Sequence, residues 1–439
     1  IELRSSFLDS GVEVADRWWL ELDDPGLEQV MSRVLADNLD LRMAWARLDQ
    51  ARALARAAGS GRYPSATMAA GVDRQELGGD AATFEGVIET RTASLGVSYV
   101  LDLWQKIAST HRAALLDVAA SRRDAEATAL AVTATAGELW YAIAAQNETL
   151  ELLDSQLEVS EEYQRLVELR FAKGLVSAVD VYQQRLQLET TRGQIPAAEA
   201  QLETSRHQLA ILLGLEPRSP AVPTPLSRLP ELQDLPATGL PSEVLRRRPD
   251  VQAAELRLLA ADRRVGVAIA DRFPSISLGA SLGGQAASFS ELVDSWIVDL
   301  AVDVVGPLVD GGRRRAEVER ARAAVEERLA AWRSALLGAA AEVEDALVEE
   351  RALRQSEQIL TTQLELAEAT LERSRALYLN GLTDYLTVLT SLQSLQSLER
   401  QAVSTRYQLL ANRIGLHLAL GGSWSAALVE PATRTEDPT

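Results

Sequence analysis

Laid on itself, the chain repeats. Asp40 to Ser65 match Asp250 to Ser275 without a gap, an offset of 210. Asp40/Asp250, Ala44/Ala254, Arg47/Arg257, Leu48/Leu258, Ala51/Ala261, Ala58/Ala268, Arg62/Arg272, Pro64/Pro274 and Ser65/Ser275 are identical, and Tyr63/Phe273 is a conservative pair. A second stretch matches at an offset of 207, with Phe171-Ala-Lys-Gly-Leu175 on Tyr378-Leu-Asn-Gly-Leu382 and Leu213-Gly214 on Leu420-Gly421. A repeat constrains the fold more than any single motif, because each copy must build the same supersecondary unit. The reading divides the chain into a first copy over 1–215, a linker over 216–240, a second copy over 241–421 and a tail over 422–439. Eight of the 15 prolines fall between Pro217 and Pro249, which marks the joint as extended backbone.

Each copy reads as helix, two strands, very long helix, tight turn, returning helix. The opening helices run over 26–59 and 241–270 and end where Tyr63-Pro64 and Phe273-Pro274 force extended backbone. Over 105–172 and 313–379 there is no Pro and a single Gly each, Gly137 and Gly338. At 1.5 Å per residue such runs make rods of roughly 100 Å, which need partners along their whole length. The chain turns at Lys173-Gly174 and Asn380-Gly381, where Gly supplies the left-handed conformation of a helix end. It returns over 178–214 and 384–420. Opening plus returning helix about equals the long one, so the two stacked end to end give a second rod beside it. Pro196 should kink the first returning helix.

The strands show period-two alternation over 65–77, 87–101, 274–283 and 293–305. Leu278, Ala280 and Leu282 alternate with Ser277, Gly279 and Ser281, and Val298, Leu300, Val302 and Val304 alternate with Asp299 and Asp303. Four such strands per chain cannot close a barrel. Either they form a half-buried sheet packed on helices, or several chains pool them with lipid outside and water inside.

Composition narrows the function. With 63 acidic and 44 basic residues the net charge is −19, which argues against a nucleic-acid partner. There is no Cys, and three His and three Met are scattered, so no metal site and no cofactor are expected. No run of about 18 uncharged apolar residues offers a transmembrane helix. There is no phosphate loop, zinc-binding His pair or GxSxG elbow, so the chain is not expected to be an enzyme. Asp310-Gly-Gly312 reads as the turn between strand and rod.

These residues carry a resemblance. Leu245-Arg-Arg-Arg-Pro-Asp250 leading to Phe273-Pro-Ser-Ile-Ser277, Leu101-Asp-Leu-Trp104, Pro307-Leu-Val-Asp-Gly-Gly-Arg313 and Arg170-Phe-Ala-Lys-Gly-Leu-Val-Ser177 resemble the TolC family of outer-membrane efflux channels, most of all its OprM-like lipoprotein subgroup. The resemblance implies a mainly α fold with a membrane β-barrel: a homotrimer pooling four strands per chain into twelve, continued by an α-helical coiled-coil barrel in the periplasm. It implies the exit duct of a tripartite efflux system, with a periplasmic adaptor protein, an inner-membrane RND-type pump and outer-membrane lipid as partners. It also implies lipid anchoring through an N-terminal Cys outside this sequence. Two other readings stay open, an outer-membrane component of type I protein secretion and a non-channel coiled-coil scaffold.

By the same resemblance the periplasmic aperture lies at the turn end. Asp180 matches the acceptor of a cross-coil link and Tyr378 its donor. Thr387 and Thr390 stand where family members often carry rings of Asp, and Thr383 where the archetype has an Arg link. Asp180 and Asp384 are the carboxylates left near the mouth. A solvated Asp and an ordinary turn Tyr are the plain alternative. The turns themselves, Lys173-Gly174-Leu175 and Asn380-Gly381-Leu382, are the expected adaptor contacts.

Overall fold

Helix ends in this chain are set by local chemistry that can be named. The computed structural model describes residues 17–77, 86–225, 228–230, 232, 247–288, 290–292 and 294–421. The start of the 241–270 helix, part of the linker and the 422–439 tail lie outside the described residues. After a 3-10 turn at Trp18–Leu22 come α1 (Pro25–Asp37), α2 (Leu39–Ser60), β1 (Ser65–Leu77), β2 (Gly86–Leu101), α3 (Lys106–Ala172) and α4 (Ala178–Leu212). There follow α5 (Pro249–Ala270), β3 (Ser275–Ala286), β4 (Ile297–Val305), α6 (Arg313–Leu379) and α7 (Tyr385–Leu420). The long helices α3 and α6 have 67 residues each and begin and end 207 residues apart. α4 runs through Pro196 as one helix.

Two compact units divide the chain, and each draws on both copies. One comprises the described residues of Ile1–Trp45, Arg123–Gln252 and Ala335–Thr439; the other comprises Ala46–Arg122 and Ala253–Ser334.

In the first unit the single helix expected over 26–59 is two. The chain leaves helical conformation at Asn38 (φ −62°, ψ 130°), whose side chain accepts from the Leu41 amide at 2.9 Å and donates to the Leu212 carbonyl at 3.0 Å. The break is thus rewarded by satisfying groups that helix ends leave open. Its counterpart at the 210 offset is Arg248, non-helical just before Pro249, whose guanidinium donates to the Ala419 carbonyl at 3.1 Å. Leu212 and Ala419 are themselves 207 apart. The end of each returning helix therefore abuts the equivalent non-helical residue, Asn38 in the first copy and Arg248 in the second. Gly214 and Gly421 close those ends at φ +69° and +68°, and a Cβ on Gly421 would lie 2.7 Å from Arg248 Cγ. Trp18, Leu27, Met31, Trp140 and Leu209 are buried in this unit, with Trp140 Nε1 donating to Asp24 at 2.8 Å.

The second unit holds one antiparallel sheet in the order β1-β2-β3-β4. Met68 pairs with Leu95, Leu95 with Leu282, and Leu282 with Val298, so one apolar row crosses all four strands. Two strand boundaries differ from the sequence reading by more than one residue. β3 extends past 283 to Ala286 because Arg91 to Ala93 of β2 offer it partners. β4 starts at Ile297, since Asp294 and Ser295 donate their amides to the Glu291 carbonyl in a turn. Where strands meet helices, Asp102 caps α3 through the Ile107 and Ala108 amides at 2.9 and 2.7 Å. Trp104 stacks on Phe273 (4.7 Å) and donates to the Pro274 carbonyl at 2.7 Å. Asp310 accepts from the Gly312 amide, with Gly311 and Gly312 at positive φ, as the turn reading of 310–312 requires. Among the described residues no helix is long and apolar enough to cross a membrane.

Candidate functional site

The two turns that reverse the long helices close identically. At the first, Leu175 donates its amide to the Arg170 carbonyl (2.9 Å) and Gly174 to Phe171 (2.8 Å); at the second, Leu382 donates to Leu377 (2.9 Å) and Gly381 to Tyr378 (3.0 Å). This is the Schellman pattern, and it places Gly174 and Gly381 at φ +70° and +71°, where an L side chain is strained. Both following leucines project outward, Leu175 at 61% and Leu382 at 73% exposure, beside the exposed Lys173 and Asn380. Asn380 donates its side chain back to the Ala376 carbonyl at 2.8 Å.

Beyond each turn the returning helix is capped. Ser177 Oγ accepts from the Asp180 amide (3.3 Å), while Asp180 Oδ2 accepts from the Ser177 amide (2.8 Å) and hydroxyl (2.9 Å), a reciprocal capping box. At the 207 offset the pair becomes Asp384 and Thr387. Asp384 Oδ1 accepts from the Thr387 amide (3.1 Å) and hydroxyl (2.7 Å), and these bonds hold its carboxyl below the usual range. Thr383 donates its hydroxyl to that of Thr387 at 3.1 Å, and Thr390 donates to the Leu386 and Thr387 carbonyls. The carboxylate changes place within the pair between copies, but in each it sits at a helix N-terminus, where the dipole favours it.

Tyr378 and Tyr385 stand at the centre of this end of the unit. With Tyr163 and Val167 of α3, Val181 of α4 and Val388, Leu389 and Leu392 of α7 they form one buried cluster. The two rings lie 5.5 Å apart, and the Arg170 guanidinium lies 4.5 Å from the Tyr378 centroid. Their hydroxyls differ. Tyr385 donates to Gln184 Oε1 at 2.5 Å, whereas the buried Tyr378 hydroxyl has no partner among the described residues. Burial pushes the Tyr378 phenol up, with nearby Arg170 opposing and Asp180 reinforcing. Asp180 and the Tyr378 hydroxyl are not joined within the chain.

Sequence reasoning passed over the layer behind the tyrosines. Gln184 donates to the Ser160 carbonyl (2.7 Å), Gln393 to Gln187 (2.7 Å), Gln187 to Gln396 (3.0 Å) and Gln156 to Glu399 (2.6 Å). Gln156, Gln184, Gln187 and Gln396 are buried, so these amides tie α3, α4 and α7 together. The available signals were the Ser-x-x-Asp box at 177–180 and glutamines recurring where a helical repeat expects apolar residues.

Two helices of 67 residues, a four-stranded antiparallel sheet and tight reversing turns define the fold class, a mainly helical chain carrying one sheet. The family model for outer membrane efflux proteins matches residues 30–215 and 240–422, and the chain belongs to that family. It is 32% identical to the pyoverdine export outer membrane protein OpmQ of Pseudomonas putida over 93% of this chain and 88% of that one. It is 30% identical to the cation efflux system protein CusC of Escherichia coli O6:H1 over 93% and 88%. The solved structure of the outer-membrane channel OprN superimposes with a TM-score of 0.90 at 27% identity, covering 97% of this chain and 98% of that chain. The protein is an outer-membrane efflux channel, an exit duct, and its family is one of channels, not of enzymes. That membership decides against the coiled-coil scaffold.

Proposed function

We propose that three copies of the chain pool their sheets into a twelve-stranded barrel in the outer membrane. The helices then enclose a periplasmic duct, shut at its far end by the residues around the two turns. The observation that carries this is the sheet. All of β4 and Ser65–Glu76 of β1 are exposed, and among the described residues both outer edges are unpaired. Open edges in lipid cost several kcal/mol per unsatisfied group, so the strands require further chains.

The turns Lys173-Gly174-Leu175 and Asn380-Gly381-Leu382 are the docking points for a periplasmic adaptor, which couples the duct to an inner-membrane RND-type pump. Their protruding leucines support this reading. The duct conducts passively, without catalysis, and passes small toxic compounds. The names of its relatives, pyoverdine export and cation efflux, differ so widely that cargo choice belongs to the pump. A lipid anchor at an upstream Cys holds the N-terminus.

For the closed aperture, Asp180 and Tyr378 are the link between neighbouring coils, with Thr383, Asp384, Thr387 and Thr390 lining the mouth. The unpartnered Tyr378 hydroxyl supports this reading, since a buried donor left alone is costly. The test is conductance of the reconstituted protein in planar bilayers. Tyr378→Phe and Asp180→Ala should each raise it, with little further gain when combined, because the second change removes an idle partner. Unchanged conductance in both variants refutes the link, and particles of only monomer or dimer mass in detergent refute the barrel.

A further inference from the structure

The internal duplication does more than repeat a unit; it contains a copy of a contact between chains. The two hairpins share one pairing scheme. Met68 pairs with Leu95 in the first, and their counterparts Leu278 and Val302, at offsets of 210 and 207, pair in the second. Ser65 with Ser98 likewise becomes Ser275 with Val305. Between the hairpins, β2 of the first copy pairs with β3 of the second, and this joint runs from Arg91–Ala286 to Leu101–Ile276. It is the contact of one unit's second strand with the next unit's first strand. A ring of chains requires that contact once more, between β4 of one chain and β1 of the next.

We propose that the β2–β3 joint is the template for the seam between chains, so that β4 pairs with β1 of a second copy in one defined register. Carried over by the same offsets, Leu95–Leu282 becomes Val302 opposite Val72 of the next chain, and Val97–Ala280 becomes Val304 opposite Ala70. The inference rests on the assembly proposed above and adds the residue pairing. Strand direction agrees: four antiparallel strands leave β4 antiparallel to a following β1, so any number of chains continues the alternation. The side chains agree too. Val298, Leu300, Val302 and Val304 fall on the same face as Met68, Ala70 and Val72, and Asp299 and Asp303 fall on that of Asp73. A slip of one residue would set Val302 beside Asp73 and turn every apolar side chain of one strand to the other face. Slips of two residues keep the faces, and among those the duplication selects one.

The seam differs from its template in charge. On the polar face the joint pairs Gly96 with Ser281 and Ser94 with Gly283, all uncharged. The seam would place Asp73 opposite Ala301, diagonally between Asp299 and Asp303.

Residues 1–439 contain no Cys, so within them the engineered positions are the sole thiols. The double variants Val302→Cys with Val72→Cys, and Val304→Cys with Ala70→Cys, place two thiols opposite each other across the seam. Within one chain those positions are three strand spacings apart, at least about 14 Å, and displaced along the strands as well, too far for a disulfide. The controls Val302→Cys with Ala70→Cys, and Val304→Cys with Val72→Cys, are displaced by two residues in opposite directions. The unsubstituted protein is first weighed in detergent, and oxidation is then followed on denaturing gels in variants of the same assembled mass. Both opposite pairs should yield covalent dimers and trimers at least tenfold more efficiently than either control. Trimers in which a control pair crosslinks best, or no pair crosslinks, overturn the register and leave the trimer standing. An unsubstituted protein that never exceeds a monomer overturns the assembly, and the register with it.

Discussion

Ile143 and Glu350 occupy the same place on the two 67-residue helices, 207 residues apart, and both are fully buried. The first is an aliphatic core residue. The second is a carboxylate bound to the buried Arg413, with Arg354 at 3.2 Å and the Asn412 amide at 3.2 Å. The partner position changes in step: Arg206, the counterpart of Arg413, pairs with Glu203 at 2.9 Å on a partly exposed face. The backbone plan was kept in both copies while one copy's core became ionic. Such a pair adds little net stability over an apolar core, but it penalises heavily any packing that separates its members.

The largest effect expected from this contrast is in Glu350. Changing it alone to Ile, the residue of the first copy, leaves the Arg413 guanidinium buried without its main counter-charge. About 3–5 kcal/mol of stability should be lost by denaturant unfolding. Adding Arg413→Leu should recover most of that loss; if it does not, the ion pair is more than an isostere of the first copy's core.

Next comes the pair of tyrosines. Tyr385→Phe strands the Gln184 oxygen in a buried layer and should cost about 1–3 kcal/mol, whereas Tyr378→Phe removes a hydroxyl with no partner among the described residues and should be near neutral for unfolding. A conductance change without a stability change in Tyr378→Phe would separate gating from folding. Phe171, at the equivalent place in the first copy, is 48% exposed against 3% for Tyr378. Phe171→Tyr should therefore change neither.

A titration sharpens the comparison further. His417 is stacked on Trp18 with ring centroids 6.0 Å apart, and its counterpart at the 207 offset is the buried Ala210. Burial first, and Arg413 second, bring the imidazole down to about 4, with Glu350 opposing. The unfolded chain takes up this proton near pH 6.5 and the folded chain only near 4, so stability falls as pH drops between those values. The slope is at most about 1.4 kcal/mol per pH unit. His417→Phe should flatten that part of a denaturation-versus-pH profile. The smallest losses expected are at the caps: Asp384→Ala should cost about 1 kcal/mol and Ser177→Ala about the same, read as reduced helix-end protection in hydrogen exchange.

Much of the architecture was legible because its signals are local and repeated. The Gly turns, the ends of the long helices at Ala172 and Leu379 and the alternation in β1 all follow from spacing and from residues that end elements. The break at Asn38 was not legible. Nothing near it is a strong helix breaker, and its reason is a carbonyl at Leu212, far along the chain. The same holds for β3, whose last residues are strand because β2 pairs with them. In the candidate site, Asp180, Asp384 and Thr387 were singled out as aperture residues, yet their first visible work is to cap helices. The glutamine layer went unread because a buried amide looks, in sequence, like a surface one until its partners on other helices are known.

The equal length of the two long helices sets a rule for how such a protein can change. Both end in turns whose neighbouring side chains share one packed cluster, Tyr163 and Val167 from α3 beside Tyr378 from α6. Four residues inserted into one helix would carry its turn about 6 Å past the other and unseat that cluster, while the same insertion in both would preserve it. Length is therefore inherited jointly. The two copies behave as a matched pair of rulers, free to drift in the residues they bury but tied, insertion for insertion, in how far they reach.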